Sequence, residues 1–271
     1  MTTKSKPYVG VCCVASPDEA GKVTALFRDT GFTMQTGHQP MVGVQLSWKH
    51  LDFGFSEGNL RSPRFDAVPS ILESIQGDVF ATVHYYTTRA ESIVSEISKI
   101  MDNCEVYDRD MIGGLQINHI FPKPDQVREL KNRYPKLKII LQISPSPDTI
   151  TELAENMASK YANVDYLILD PSHGKGVDLN LEEVLAAFRI LRKSGVQSEV
   201  VFSGGFNGSN VRERVSKIAD SLGYMDFSID AEGGLRDRLG DGFGNDVLNL
   251  DKVRSYLRGA SEAFLQLKNT K

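Results

Sequence analysis

Cysteine is scarce in this chain: Cys12, Cys13 and Cys104 are the only three in 271 residues. An odd count, with two of them adjacent and no CxxC spacing, argues against a disulfide framework and a zinc knuckle, and predicts a reducing, cytoplasmic home. Long apolar runs are missing too. Nothing approaches the 18 or so consecutive apolar residues of a transmembrane helix, and the opening MTTKSKPYVG lacks the apolar core of a signal peptide. Charge of one sign is not in excess, since 31 Lys and Arg stand against 35 Asp and Glu. That balance disfavours nucleic acid or a membrane surface as partner and leaves a small molecule. Linkers and low-complexity tracts are absent as well, so one domain over 1–271 is expected.

What the chain does have is alternation. Continuous apolar, β-rich runs occur at 8–14, 41–47, 79–86, 112–118, 138–144, 166–170, 200–205 and 225–230. Continuous rather than every-other-residue hydrophobicity fits strands covered on both faces. Between them lie helical patterns, the first opened by Ser16, Pro17 and Glu19 (cap, first-turn proline and capping-box acid) and stopped at Gly31. The others fall near 67–76, 88–103, 123–133, 147–162, 180–194, 208–222 and 250–268. Eight β–α pairs predict an α/β fold, a parallel eight-stranded (β/α)8 barrel. The alternative, a doubly wound sheet, requires a reversal that the pattern does not show.

Such a barrel builds its site at the C-terminal strand ends. The residues there include Cys12, Lys49, His50, His84, Gln116, Asn118, His119, Gln142, Asp170, His173, Gly204, Gly205, Asp230 and Glu232. Asp170 ends the apolar run LILD, where a carboxylate costs strand propensity and desolvation; it is either a general acid or a cap for the following SHGKG turn. After strand seven, FSGGFNGSNV offers Gly204, Gly205 and Asn207 ahead of a helix, a place where backbone N–H groups can hold a phosphate. Gly233 follows strand eight, but Asp230, Glu232 and Asp237 crowd it with negative charge. Alternation along strand one predicts that one of Cys12 and Cys13 faces the barrel interior and the other the helices.

Three of these stretches together resemble phosphoribosylanthranilate isomerase. YVGVCCVASPDEA is similar to that family's first strand and helix, LILD with HGKGVDL to its sixth strand and loop, and FSGGFNGSNV to its seventh. The resemblance implies a cofactor-independent rearrangement of an aminoaldose phosphate to an aminoketose phosphate, a step of tryptophan biosynthesis. Asp170 would be the acid that opens the sugar ring and Cys12 the base that takes the C2 proton. Gly204, Gly205, Asn207 and Gly233 would hold the phosphate, and Lys49, His50, Gln116, Asn118 and His173 would meet the rest of the substrate. No metal or other cofactor is implied.

The departures concern the substrate. Asn118 and His119 stand where the family has His-Gly, and SWKH offers Lys49 or His50 where the family has the arginine that meets the anthranilate carboxylate. The connections at 49–65 and 231–249 are long for the family, the second being either a lid or a plain connector. The acid–base pair is kept while substrate-facing positions change, as in a related isomerase with a different substrate. Two alternatives stay open: a metal-assisted hydrolase or lyase using His84, His119, His173, Asp170 and the acids of strand eight, and a non-catalytic relative that binds a phosphorylated metabolite. Oligomeric state is not set by the sequence; Leu257, Phe264, Leu265 and Leu267 on the last helix could face the barrel or a second subunit.

Overall fold

The computed structural model describes residues 5–32, 36–103, 105–144, 149–161, 164–171 and 180–270. Cys104 and His173 lie outside them, as does the whole SHGKG turn. Eight parallel strands close on themselves: β1 (Tyr8–Val11), β2 (Gln39–Ser47), β3 (Phe80–Tyr86), β4 (Gly114–Asn118), β5 (Lys138–Ile143), β6 (Tyr166–Leu169), β7 (Glu199–Ser203) and β8 (Ser228–Ala231). Each pairs with the next, and β8 returns to β1 with Gly10 opposite Asp230. This is the (β/α)8 barrel expected from the alternating pattern.

The helices are α1 (Pro17–Asp29), α2 (Trp48–Phe53), α3 (Val68–Glu73), α4 (Ile93–Asn103), α5 (Pro124–Arg133), α6 (Ile150–Lys160), α7 (Leu181–Lys193), α8 (Val211–Leu222) and α9 (Leu250–Thr270). Helix α1 begins where its cap predicts, with Ser16 Oγ accepting from the Glu19 N–H and Pro17 in the first turn. Helix α9 packs inward, burying Leu257 and Phe264 completely, and Phe264 lies against the His38 ring at 3.9 Å. Its apolar stripe is therefore largely cover for the barrel.

Two apolar bodies result. The larger lies between the strands and the surrounding helices, and a smaller one fills the barrel interior from Tyr8, Cys12, Cys13, Met41, Ile140, Tyr166, Ile168 and Val201. Tyr8, Phe80 and Tyr166, from β1, β3 and β6, bring their ring centroids within 5.3–6.0 Å of one another. Strands that far apart around the barrel meet only on its axis, so these rings plug the N-terminal end. The interior turns polar toward the C-terminal end. Along β4, β5, β6 and β8 the inward positions run to Gln116, Gln142, Asp170 and Asp230.

The two long connections adopt structure of their own. The first contains α2, started at Ser47 and stopped by Gly54 in the left-handed region at φ 79°. The second forms an antiparallel hairpin of β9 (Arg236–Arg238) and β10 (Asp246–Leu248). The two are joined, since the Leu60 N–H donates to the Gly244 carbonyl at 2.8 Å.

Candidate active site

The alternation argument for the cysteines fails, for a local reason. Regular β1 ends at Val11 and Cys13 takes φ 65°, in the left-handed region. Both thiols then join the same interior apolar body instead of dividing between interior and helices. The reversal also aims the Cys13 carbonyl at Arg236, which donates to it at 3.1 Å.

Cys12 Sγ donates to Asp230 Oδ1 at 2.8 Å, both residues being buried. Gly10 makes this contact possible, because a Cβ there would stand 2.3 Å from Asp230 Oδ1. A glycine inside a strand often marks such a close approach and could have drawn attention to Asp230 from sequence. Burial, and then the charge of Asp230, push the Cys12 thiol well above its ordinary value. Burial also pushes Asp230 up to about 7, with the charges of Glu232 and Asp170 adding to the effect. Of this pair, the carboxyl is the partner that exchanges a proton near neutrality, and the thiol stays protonated while Asp230 lies against it.

Asp170 follows β6 and is buried, with Gln142 Nε2 donating to its Oδ2 at 2.6 Å. Only β7 separates β6 from β8, so Asp170 and Asp230 stand roughly 10 Å apart around the ring. Gln142 is itself held by Gln116, whose Nε2 donates to Gln142 Oε1 at 3.3 Å and to Asn118 Oδ1 at 2.9 Å. A relay of side-chain amides thus sets the orientation of Asp170.

At the end of β7, Gly204 and Gly205 both have positive φ, 113° and 63°. Among the described residues, nothing accepts from the N–H groups of Gly204, Gly205, Gly233 or Gly234. Gly204 and Gly205 are buried and Gly233 and Gly234 half-buried; buried backbone donors without a partner are rare and suit an anion. Asn207 has other duties: its Oδ1 accepts from the Ser209 N–H and hydroxyl, and its Nδ2 donates to the Gly205 carbonyl. It shapes the loop after β7 with its side chain turned to the backbone. Helix α8 starts at Val211, three residues later than the sequence pattern predicts.

Glu232 opens a short 3-10 turn, Gly233–Leu235, and its carboxylate pairs with Arg61 at 2.5 Å. Burial pushes this carboxyl upward and Arg61 opposes the shift. Arg61, absent from the sequence reading, reaches across from the first long connection and also grips Asp246, which Arg236 binds as well. Phe243 covers the guanidinium at 4.5 Å. A basic residue between Asn59 and Pro63 gives no periodic signal, so only the fold exposes this tie.

Beside this group opens a cavity of about 450 Å³, lined by residues that include Gln45, Lys49, Asn59, Asn118, His119, Gln142, Ser144 and Glu232. Lys49 and Asn118 therefore stand where the sequence reading put them, and Gln116 lies beneath as a buried support. His50 does not face this cavity. It is 1 % exposed, accepts from the Ser47 N–H through Nδ1 and meets the Pro63 carbonyl through Nε2, and so pins the long connection. His84 is buried beside Thr82, and burial drives its pKa down to about 3, which keeps it neutral. Among the described residues no cluster of three or more His, Cys, Asp or Glu side chains is arranged to hold a metal. The cavity's position at the strand ends, beside paired buried acids, marks the mouth as the place for chemistry.

The fold is that of a (β/α)8 barrel, with buried carboxyl groups and a cavity at the C-terminal ends of its strands. Among solved structures, the barrel is similar to phosphoribosyl anthranilate isomerase from Thermus thermophilus, with 16% identity, 97% of this chain and 100% of that one covered, and a TM-score of 0.59. The Thermotoga maritima enzyme of the same name gives 16% identity, 94% and 99% coverage and a TM-score of 0.61. A Rubisco-like protein from Rhodopseudomonas palustris also shares the barrel, at 9% identity, 96% and 65% coverage and a TM-score of 0.56. At these identities the likeness establishes the fold. No family model matches the sequence, and no curated protein does either.

Proposed function

We propose that the protein is a cofactor-independent isomerase of a phosphorylated aminoaldose, converting it to the aminoketose by acid–base chemistry at the barrel mouth. The observation that carries this reading is the buried Cys12–Asp230 contact, placed around the mouth, with β7 between, from a separately held Asp170. Aldose-to-ketose rearrangement needs two proton-transfer groups on different sides of one sugar, and these residues meet that need. Asp170, oriented by Gln142, protonates the ring oxygen and opens the sugar to a Schiff base. The Cys12–Asp230 pair takes the C2 proton as a relay: the thiol passes its own proton to the Asp230 carboxylate as it receives the one from C2, and so is protonated before and after the step. The enolamine then tautomerises to the ketone.

The N–H groups of Gly204, Gly205 and Gly233, which have no acceptor among the described residues, support a phosphate at the β7–β8 side. Glu232 stands next to this place and is neutralised by Arg61, which limits its repulsion of the anion. One similar structure, of phosphoribosyl anthranilate isomerase, holds a reduced carboxyphenylamino-deoxyribulose phosphate, a reduced analogue of an aminoketose phosphate of the class proposed.

The test is turnover of freshly prepared phosphoribosylanthranilate and other N-substituted aminoaldose phosphates by wild type, Cys12→Ala and Asp170→Asn. Turnover by wild type of at least one, reduced about a hundredfold or more in each variant, is the expected result. Binding of the aminoketose phosphate without turnover of any of them would instead make the protein a non-catalytic relative.

A further inference from the structure

Four non-glycine residues among those described have positive φ. Glu105 and Asp110 sit in exposed turns, and Cys13 turns its carbonyl to Arg236. The fourth is His119, with φ 75° directly after β4. That region of backbone space favours glycine, which is the residue the resembling family has here. His119 gains no hydrogen bond among the described residues in return. A strained backbone that brings no hydrogen bond directs attention to what the side chain does.

The side chain stands on the wall of the mouth cavity, against the Tyr86 ring, with centroids 4.9 Å and planes 32° apart. Tyr86 ends β3, so the stack joins two neighbouring strand ends, and Tyr86 lines the cavity as well. The tyrosine covers one face of the imidazole and sets its tilt. The imidazole is otherwise exposed, and its second face meets no other ring among the described residues. A wall made of two stacked rings, one with a face open to the cavity, suits a flat unsaturated group.

Topology decides which part of a substrate arrives there. β4 is four strands from β8 in either direction around the closed ring, so His119 and Gly233 stand on opposite sides of the mouth. With phosphate on the glycine N–H groups, as the isomerase reading on which this inference rests requires, the sugar crosses the mouth. Its amino substituent then ends against β3 and β4.

We infer that His119 is the residue that selects the amino substituent of the substrate, taking a flat unsaturated group on the open face of its imidazole. Tyr86 is the positioning residue behind it.

Two ligands that differ only in this substituent separate selection from a role in the fold. They are reduced 1-(phenylamino)-1-deoxyribulose 5-phosphate and its methylamino counterpart, which is too short to reach the ring. Titration calorimetry on the full chain at pH 7.5 is expected to show the phenyl ligand binding at least tenfold more tightly. His119→Gly should cut that advantage below threefold while the methyl ligand stays within threefold of its wild-type affinity. The same variant should melt no more than about 2 °C below wild type, because glycine relieves the left-handed backbone. His119→Phe keeps a flat ring and should keep an advantage above fivefold. An advantage that is missing in wild type, survives in His119→Gly or is lost in His119→Phe overturns the inference and leaves the isomerase reading standing. Equal weakening of both ligands in His119→Gly overturns it too, since the residue would then serve the fold or the shared phosphosugar. Failure of wild type to bind either ligand, with the protein folded by circular dichroism, overturns the isomerase reading and this inference with it.

Discussion

Asp230 is the residue on which the proposed chemistry turns, and its environment has a consequence measurable without substrate. Its carboxyl is buried against Cys12 and pushed up to about 7, whereas in the unfolded chain it titrates near the ordinary aspartate value of about 4. Between about pH 4 and 7 the folded protein therefore holds a proton that the unfolded chain has lost, and stability falls as pH rises through that window. The full cost is present above pH 7. Asp230→Asn removes the titration and keeps an oxygen for the Cys12 thiol. The melting temperature of the variant relative to wild type should be higher at pH 8 than at pH 5 by at least about 3 °C. His84 acts in the other direction: its pKa is held near 3, so its contribution is lost as pH falls below about 6.5. It is present in both proteins and drops out of the difference. A pH-independent difference would show that Asp230 is an ordinary carboxylate.

At the scale of elements, the periodic parts of this chain were legible and the aperiodic parts were not. Every barrel strand lies where a continuous apolar run predicts it, because burial on both faces writes itself into consecutive residues, whereas the short β9 and β10 carry no such run. The short helix α2 was missed although Ser47 and Gly54 bracket it, since six residues carry little period. Asp170, Gly204 and Gly205 were readable because they interrupt apolar strands. Arg61 was not, because its partners Glu232 and Asp246 lie 171 and 185 residues away. The tie it makes is strong. Removing one partner of a buried ion cluster leaves an uncompensated charge, which typically costs about 3–5 kcal/mol. Arg61→Met is expected to lower unfolding free energy by about 2–4 kcal/mol, the smaller figure reflecting Arg236, which still pairs with Asp246. The 239–245 hairpin tip should then be cleaved readily in limited proteolysis. Retained protection of the tip would mean that the two connections hold together without the arginine.

Across the whole molecule, the barrel divides its labour between its ends. The sequence could suggest that the mouth is polar, but not that Tyr8, Phe80 and Tyr166 converge on the axis, because their separation along the chain hides a contact made only by closure. These rings carry stability, while the opposite end carries the raised carboxyl groups of Asp230 and Glu232 and a cavity. Substitutions at the two ends should therefore separate the two properties. Tyr166 is 1 % exposed, stacks on both other rings and donates through its hydroxyl to the Lys6 carbonyl. Tyr166→Ala opens a void that its neighbours on the barrel wall cannot fill, at a cost of about 3–5 kcal/mol. Because the wall between the plug and the mouth is packed with Ile140, Ile168 and Val201, that void should not reach Asp170 or Asp230. Denaturant unfolding should show the loss, while binding of the aminoketose phosphate well below the melting temperature changes by less than threefold. Asp170→Asn should do the reverse, leaving stability within about 1 kcal/mol and abolishing turnover. If Tyr166→Ala weakened ligand binding as strongly as it weakened the fold, the interior would be transmitting strain along the barrel axis, and the division between a structural floor and a chemical mouth would not hold.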